Sequence, residues 1–171
     1  FADIDVFDIE VDTKDIDAFI ATVKNIAPTF GGINLEDIKA PESFEIERRL
    51  VEELNIPVMH DDQHGTAIIS SAALLNALEL AKKKIDKVKI VISGAGSAAL
   101  ACANLYVLLG VKPENIIMFD KEGVLSSDRT DLSDLQKRYS HGSKNTNLKE
   151  ALSGADVFLG LSAGNILSPD M

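Results

Sequence analysis

The chain has 171 residues, of which 46% are hydrophobic and 26% are charged. This balance is typical of a soluble globular protein with one good core or two small ones. The formal net charge is −10 at pH 7 and the pI is about 4.7. Because an acidic surface repels a phosphate backbone and no cluster of Lys and Arg offsets the charge locally, nucleic acid is excluded as an expected partner.

Two further features favour a cytoplasmic protein that does not enter a membrane. Residues 67–81 are the most apolar stretch, but Ser70 and Glu79 interrupt it, so it falls short of the roughly 18 continuous apolar residues that a span needs. The single cysteine, Cys102, has no partner for an internal disulfide and lies among apolar residues of a predicted helix. We therefore expect a buried thiol in a reducing compartment.

The first part of the chain is predicted to alternate between strands and helices, as apolar periodicity changes from two to 3.6 residues. Its predicted elements are a strand over 4–11, a helix over 16–26, a strand over 30–35, a helix over 41–54 and a strand over 56–59. Thr13 is expected to cap the first helix, which Pro28 ends. Pro41 suits the first turn of the second helix.

The remainder continues the same alternation after the polar stretch 60–66. Its predicted elements are a helix over 67–82, a strand over 88–92, a helix over 98–109, a strand over 116–119, short helices over 131–139 and 148–152, and a strand over 156–161. Strands that alternate with helices in this way predict an α/β fold, in which a Rossmann-type parallel sheet is flanked by helices.

A glycine-rich turn between a strand and a helix predicts a dinucleotide site. Residues 94–99 match the G-x-G-x-x-G/A fingerprint. Gly94 allows the tight turn, Gly96 lacks the Cβ that would block the pyrophosphate, and the small Ala99 lets the helix pack closely. The flanking strands and helix disfavour the alternative, a small-residue turn that only packs. The candidate cofactor-binding residues are Gly94, Ala95, Gly96, Ser97, Ala98, Ala99, Asp120 and Lys121.

The residues after the second strand bear on the choice of cofactor. Asp120 is where an acid should bond the ribose hydroxyls, and its charge would repel the 2′-phosphate of NADP. Lys121 has the opposite effect, because a lysine can turn toward that phosphate. These two residues together favour NAD as the cofactor but do not exclude NADP.

Two acidic pairs follow predicted strands, Glu36-Asp37 and Asp61-Asp62. Carboxylates at the carboxyl ends of neighbouring strands suit Mg²⁺ or Mn²⁺. From spacing alone, a solvated surface or helix caps are the commoner explanation. His60 and His64 flank the second pair, where they either order the loop by hydrogen bonds or ligate a softer metal.

Two longer stretches carry a family resemblance. PTFGGINLEDI at 28–38 and IPVMHDDQHGTA at 56–67 closely resemble signature stretches of bacterial malic enzymes, and the turn at 93–99 and Asp120 follow in the same order. The resemblance covers essentially the whole chain. It implies part of a substrate- and metal-binding N-terminal domain over 1–64, then an NAD(P)-binding Rossmann domain over 65–171 that is incomplete at its C-terminus.

The activity that the resemblance implies is oxidative decarboxylation of (S)-malate to pyruvate and CO₂, with reduction of NAD or NADP and with Mg²⁺ or Mn²⁺ as the metal. The implied metal ligands are Glu36, Asp37 and Asp62. Asp61 would support a catalytic lysine, and Thr66 joins the cofactor-binding residues. The resemblance also implies a homodimer or a larger homo-oligomer.

Some family residues have no match here. The family's catalytic lysine and tyrosine lie upstream of Phe1, its substrate-binding asparagines lie downstream of Met171, and Lys14, Lys24 and Lys39 match no base position. We therefore expect a central fragment of a malic enzyme that is inactive alone. The alternatives are an enzyme similar to amino-acid dehydrogenases that needs no metal, and a non-catalytic NAD-sensing module.

A second glycine-containing loop has two equally good explanations. Gly160 and Gly164, in Gly-Leu-Ser-Ala-Gly, match a family loop near the cofactor. A glycine turn that simply ends a strand explains them equally well, so they stay outside the candidate site.

Overall fold

A computed structural model describes residues 3–171 and divides the chain into two compact units, Phe1–Met59 and His60–Met171. Helix α3 (Asp61–Ala81) runs through residue 64, where the sequence analysis ends the first domain. The assignment of a substrate and metal domain and of a cofactor domain along the chain stays a prediction.

The first unit holds two helices and two short strands, the second of which ends at His60, the first residue of the second unit. They are α1 (Ile16–Ile26), β1 (Ile33–Leu35), α2 (Glu42–Glu53) and β2 (Val58–His60). The strands form a two-stranded sheet. Its small core consists of the buried side chains Ile20, Val23, Leu35, Ile46 and Leu50. Surface ion pairs join the helices, because Lys24 Nζ lies 2.5 Å from Glu53 and Arg49 lies 2.6 Å from Asp17.

Two predictions in the first unit are wrong. Residues 4–11 form no strand, and Ile4 and Val6 are 72% and 79% exposed. Alternating residues form a strand only when a neighbour pairs with them, and none of the described residues does so here. Asp15 rather than Thr13 caps α1, since its carboxylate accepts a hydrogen bond of 2.7 Å from the Ala18 N–H.

The second unit contains a Rossmann-type sheet. Its further elements are β3 (Ile90–Ser93), α4 (Ser97–Leu108), β4 (Ile116–Asp120), β5 (Gly123–Val124), α5 (Asp134–Lys137), α6 (Leu148–Leu152) and β6 (Val157–Gly160). The strand order is β5-β4-β3-β6. Strand β3 pairs in parallel with both β4 and β6, and only the short β5, which was not predicted, is antiparallel. The predicted fold class is confirmed.

The two faces of β3 lead into different cores, as the two-residue period of a strand requires. Ile90 and Ile92 pack with residues of α3 and α4 in the larger core, whereas Val91 packs with Phe119 and Ala151 in the smaller one. All four residues of β3 are buried. The strand that leads into the glycine turn is therefore held from both sides.

Cys102 belongs to the larger core, as predicted. It is fully buried and forms no disulfide. Burial raises the pKa of its thiol, and a hydrogen-bond contact with Ser70 opposes this effect. Of the helices within residues 3–171, none is long and apolar enough to cross a bilayer.

Candidate cofactor-binding turn and acidic residues

Gly94 occupies a position in the second unit that no other residue fits without strain. Its φ is +118°, and a Cβ built on it would lie 2.4 Å from the Leu161 carbonyl oxygen. Its N–H donates to the Phe119 carbonyl over 2.8 Å, and the Leu161 N–H donates to the Ser93 carbonyl over 2.8 Å. These bonds fix the turn at the carboxyl ends of β3, β4 and β6, the edge where open α/β sheets bind ligands.

Gly96 differs from Gly94, because the protein itself does not require a glycine there. Its φ is −85°, which any residue adopts, and a Cβ built on it meets no atom within 4 Å. The space beside its Cα is thus open. An open approach to the backbone is what a dinucleotide pyrophosphate needs at this position of the fingerprint.

The N-terminus of α4 is left free for a ligand. Within the described residues no side chain caps it, and no acidic residue stands in its first turn. Its unpaired N–H groups and the positive end of the helix dipole favour an anion. Ser97 and Ala98 are half-buried, whereas Ala99 is 1% exposed, as expected for close packing of the helix on the sheet.

Ala95, the middle residue of the turn, is buried, and its carbonyl accepts a hydrogen bond of 3.1 Å from the Gln136 side-chain amide. Gln136 lies on α5, far along the chain from the turn. Sequence reasoning did not single it out, because no motif connects it with the fingerprint.

Asp120 ends β4, as predicted, but the side chain of Arg129 already forms an ion pair with it. Two nitrogens of the Arg129 guanidinium lie 2.8 Å from the two oxygens of Asp120, and Arg129 also lies 2.5 Å from Asp131. Burial raises the pKa of the Asp120 carboxyl, but hydrogen bonds from Arg129 and the Glu122 N–H outweigh it and bring the pKa below its usual value. Asp120 is therefore ionised at neutral pH.

Arg129 is the residue that the sequence analysis missed at this edge. The available signal was an arginine shortly after the second strand of a dinucleotide fold, a place where arginines accommodate 2′-phosphates. Lys121, which the analysis did single out, has a side chain that is 89% exposed and lies 3.7 Å from Glu122. An open depression of about 540 Å³ borders Asp120 and Arg129.

The acidic pair of the first unit follows β1. Glu36 and Asp37 are both exposed. The Asn34 amide donates a hydrogen bond of 2.9 Å to Glu36, and Asp37 has a left-handed φ of 55°. Both carboxylates are accessible from solvent.

The acidic pair of the second unit lies in the first turn of α3, which begins at Asp61 rather than at residue 67 as predicted. Carboxylates are favourable beside the positive end of a helix dipole, and this explains the earlier start. Asp62 lies 3.9 Å from the Nε2 of the fully buried His60, and its side chain is 44% exposed. Thr66 is half-buried one turn further along the same helix.

Gly65 makes room for the Asp61 carboxylate. A Cβ at residue 65 would lie 2.2 Å from Asp61 Oδ1. A glycine inside a helix otherwise lowers its stability. The position of the Asp61 side chain thus explains why a glycine occurs at residue 65, within the second signature stretch.

The acidic residues stand as one pair in each unit. Across residues 3–171, no three side chains of His, Cys, Asp or Glu are grouped as a metal site. Their carboxylate oxygens are donors of the kind that Mg²⁺ and Mn²⁺ accept. Metal binding by Glu36, Asp37 and Asp62 stays a prediction.

Comparison with known proteins identifies the family. The family model for the malic enzyme N-terminal domain matches residues 3–51, and that for the malic enzyme NAD-binding domain matches residues 63–165. The chain is 58% identical to an NAD-dependent malic enzyme of Rhizobium meliloti over 100% of its length, which is 22% of that protein. It is 53% identical to an NADP-dependent malic enzyme of Escherichia coli, again over 100% of its length and 23% of that protein.

A solved structure agrees with these relatives. The NAD-dependent malic enzyme of Thermotoga maritima has a TM-score of 0.90 and 46% identity to this chain, and the match covers 99% of this chain and 46% of that one. The chain thus spans less than half the length of each of these three proteins. It belongs to the malic enzyme family.

Proposed function

We propose that the intact protein carrying this chain oxidises and decarboxylates malate to pyruvate and CO₂ with reduction of a nicotinamide dinucleotide, and that residues 94–99 bind the dinucleotide. One observation carries the proposal: the open space beside Gly96 at the uncapped N-terminus of α4. The names of the relatives, which are malic enzymes dependent on NAD or NADP, supply the substrate and the reaction.

Each residue of the turn then has a definite task. The N–H groups at the start of α4 bind the pyrophosphate, and Gly96 lets it approach the backbone. Gly94 redirects the chain, while Ala99 keeps the helix against the sheet. These backbone donors are fixed before the ligand arrives, so binding requires little ordering of the protein.

NAD is the proposed cofactor. Asp120 is ionised at the end of β4, so it favours ribose hydroxyls and disfavours a 2′-phosphate. Arg129 binds two carboxylates at once, which together outweigh its positive charge. Identity does not decide the matter, because relatives of both specificities are about equally similar. We expect NADH to bind more tightly than NADPH. Asp120→Asn removes the negative charge, so it should reduce this difference in affinity between the two cofactors.

The divalent metal forms a second part of the proposal, which rests on the family resemblance. Glu36, Asp37 and Asp62 would hold Mg²⁺ or Mn²⁺, and their hard oxygen donors and accessible side chains fit these cations. The metal would supply a Lewis acid for the substrate oxygens. Asp61 would orient a lysine base from outside residues 1–171, and Gly65 leaves its carboxylate in place. A cytoplasmic location and self-association belong to the same proposal.

Gly96→Ala in the intact protein tests the cofactor site. The added methyl group meets no protein atom, so the melting temperature should stay within about 2 °C of the original, while NADH affinity measured by fluorescence titration falls at least about tenfold. Gly31→Ala is the matched control, because its Cβ also meets nothing, and it should leave NADH binding unchanged. Equal NADH affinity in the two variants would contradict this assignment of the turn.

The reaction needs its own test. Malate oxidation by the intact protein should require Mn²⁺ or Mg²⁺, and Asp62→Ala should abolish turnover while NADH still binds. Metal-independent turnover would instead favour an amino-acid-dehydrogenase-like enzyme. NADH binding without any turnover would favour a sensing module.

A further inference from the structure

The side chain of Gln136 connects a helix cap with the dinucleotide turn. Gln136 closes a capping box at the start of α5, where its Oε1 accepts hydrogen bonds from the Ser133 N–H and hydroxyl over 2.9 and 3.1 Å. Its Nε2 donates to the Ala95 carbonyl over 3.1 Å. Both ends of one amide are therefore engaged.

These partners determine which way the amide faces. The Ser133 N–H can only donate, so it requires the amide oxygen, and the Ala95 carbonyl can only accept, so it requires the amide nitrogen. A flipped amide would place a donor against a donor and an acceptor against an acceptor. The capping box thus directs the Gln136 N–H toward the turn.

The bond to Ala95 also orients the next residue. The Ala95 carbonyl and the Gly96 N–H belong to one planar trans peptide, in which the two groups point in opposite directions. Fixing the direction of the carbonyl therefore fixes that of the Gly96 N–H. A Cβ built on Gly96 would meet no atom within 4 Å, and the proposed function places the pyrophosphate in this open space.

The segment that carries Gln136 is anchored on α4, the helix that follows the turn. The Tyr139 hydroxyl donates a hydrogen bond of 2.6 Å to the Asn104 side chain. Leu132 and Tyr139 are 5% and 3% exposed and belong to the same core as Leu100 of α4. Gln136 is thereby held at a fixed place relative to the helix whose N-terminus forms the site.

We propose that Gln136 is a positioning residue for dinucleotide binding, which acts by orienting the Ala95–Gly96 peptide toward the pyrophosphate. The inference rests on the proposed function of residues 94–99 and adds a determinant outside the fingerprint. Gln136 touches the turn and not the reacting atoms, so its removal should weaken cofactor affinity and leave the affinity for malate unchanged.

The test compares two variants of the intact protein. Gln136→Met keeps the length of the side chain but removes both the turn bond and the cap, whereas Ser133→Ala removes only the hydroxyl part of the cap. We expect Gln136→Met to weaken NADH and ADP-ribose binding up to about tenfold, from the loss of one part-buried hydrogen bond, and Ser133→Ala to weaken it less than about twofold. If Gln136→Met does not fold, Gln136→Glu takes its place: it retains an oxygen for the cap but has no N–H for the Ala95 carbonyl, so it should show the same loss of NADH and ADP-ribose affinity.

Comparing ligands with and without a pyrophosphate distinguishes a positioning role of Gln136 from a general loss of structure at the site. Adenosine lacks the pyrophosphate, so its affinity, measured by competition with NADH, should change less than about twofold in Gln136→Met. An equal loss for adenosine and ADP-ribose would overturn the proposal, as would unchanged NADH binding in Gln136→Met. If the unaltered protein bound neither NADH nor ADP-ribose, the proposed function itself would fail.

Discussion

The two units hold their candidate functional residues in different ways. In the second unit, the dinucleotide turn follows a strand whose four residues are all buried, and backbone bonds connect it with β4 and β6. In the first unit, Glu36 and Asp37 are exposed after a three-residue strand, beside a core of few side chains. The cofactor turn is fixed by packing, whereas the acidic pair is attached to a small scaffold.

This difference follows from what each ligand needs. A pyrophosphate bound by backbone N–H groups depends on peptide planes whose directions only the surrounding fold can set. Mg²⁺ requires near-octahedral coordination but keeps several water ligands, so a few carboxylates from the protein are enough to bind it. A substitution at Gly94, where the fold itself requires a glycine, should therefore lower stability and cofactor binding together, while substitutions near the acidic pairs should separate the two.

Gly94→Ala should have the largest effect. The methyl group would lie 2.4 Å from the Leu161 carbonyl oxygen at a φ of +118°, so the backbone must move. We expect a loss of about 3 kcal/mol in the free energy of unfolding by urea and no measurable NADH binding. Gly96→Ala is the control, since it should lose binding but not stability. A Gly94→Ala protein with an unchanged urea midpoint would contradict this account of the turn.

Leu50→Ala tests the small core that supports the acidic pair of the first unit. Leu50 is fully buried in the core of the first unit, so its truncation should cost about 3 kcal/mol. Hydrogen exchange should show lost protection over Ile16–Ile26 and Glu42–Glu53, with that of Ile90–Ser93 unchanged. Val51→Ala, at a position that is 53% exposed, should leave protection intact. Equal loss of protection in all three elements would show that the two units do not differ in this respect.

The sequence predicts the turn better than the first unit for a physical reason. The signals for residues 90–99 are local: β-branched residues, then glycine, then small helix formers. The alternation at 4–11 is an equally local signal, but a strand also needs a partner, and pairing cannot be deduced from one segment.

The missed residues show the same limit. Arg129 reaches Asp120 from nine positions away, and Gln136 reaches Ala95 from 41 positions away. Neither spacing corresponds to a helical or strand period. The place of Arg129 shortly after the second strand is a weak signal for that residue, and no motif marks Gln136 before the chain is folded. The fingerprint is visible in the sequence, but the residues that hold it in place are not.

Gly65→Ala should change stability and turnover in opposite directions. Replacing a glycine inside α3 should stabilise the protein by about 0.5–1 kcal/mol. The new methyl group would displace the Asp61 carboxylate, which now lies 2.2 Å from the position of that Cβ, so malate turnover should fall. Asn76→Ala at an exposed position of the same helix is the matched control, which should stabilise without loss of turnover. Full activity in Gly65→Ala would remove the proposed reason for the glycine.

The smallest expected effect is the acid sensitivity contributed by Asp120. Although burial acts against it, the bonds from Arg129 hold the pKa of Asp120 below its usual value, so this carboxylate stabilises the fold at neutral pH. That stability is lost as the pH falls from the unfolded pKa, near 4, through the lower folded pKa. In urea melts between pH 7 and pH 2, Asp120→Asn should lose less stability than the original protein, by about 1 kcal/mol or less.

The control is Asp5→Asn, which makes the same charge change at an exposed position of the first unit. Its curve of stability against pH should run parallel to that of the original protein. If Asp120→Asn gave a parallel curve as well, the ion pair with Arg129 would contribute nothing to folding, and its remaining role would be the choice of cofactor.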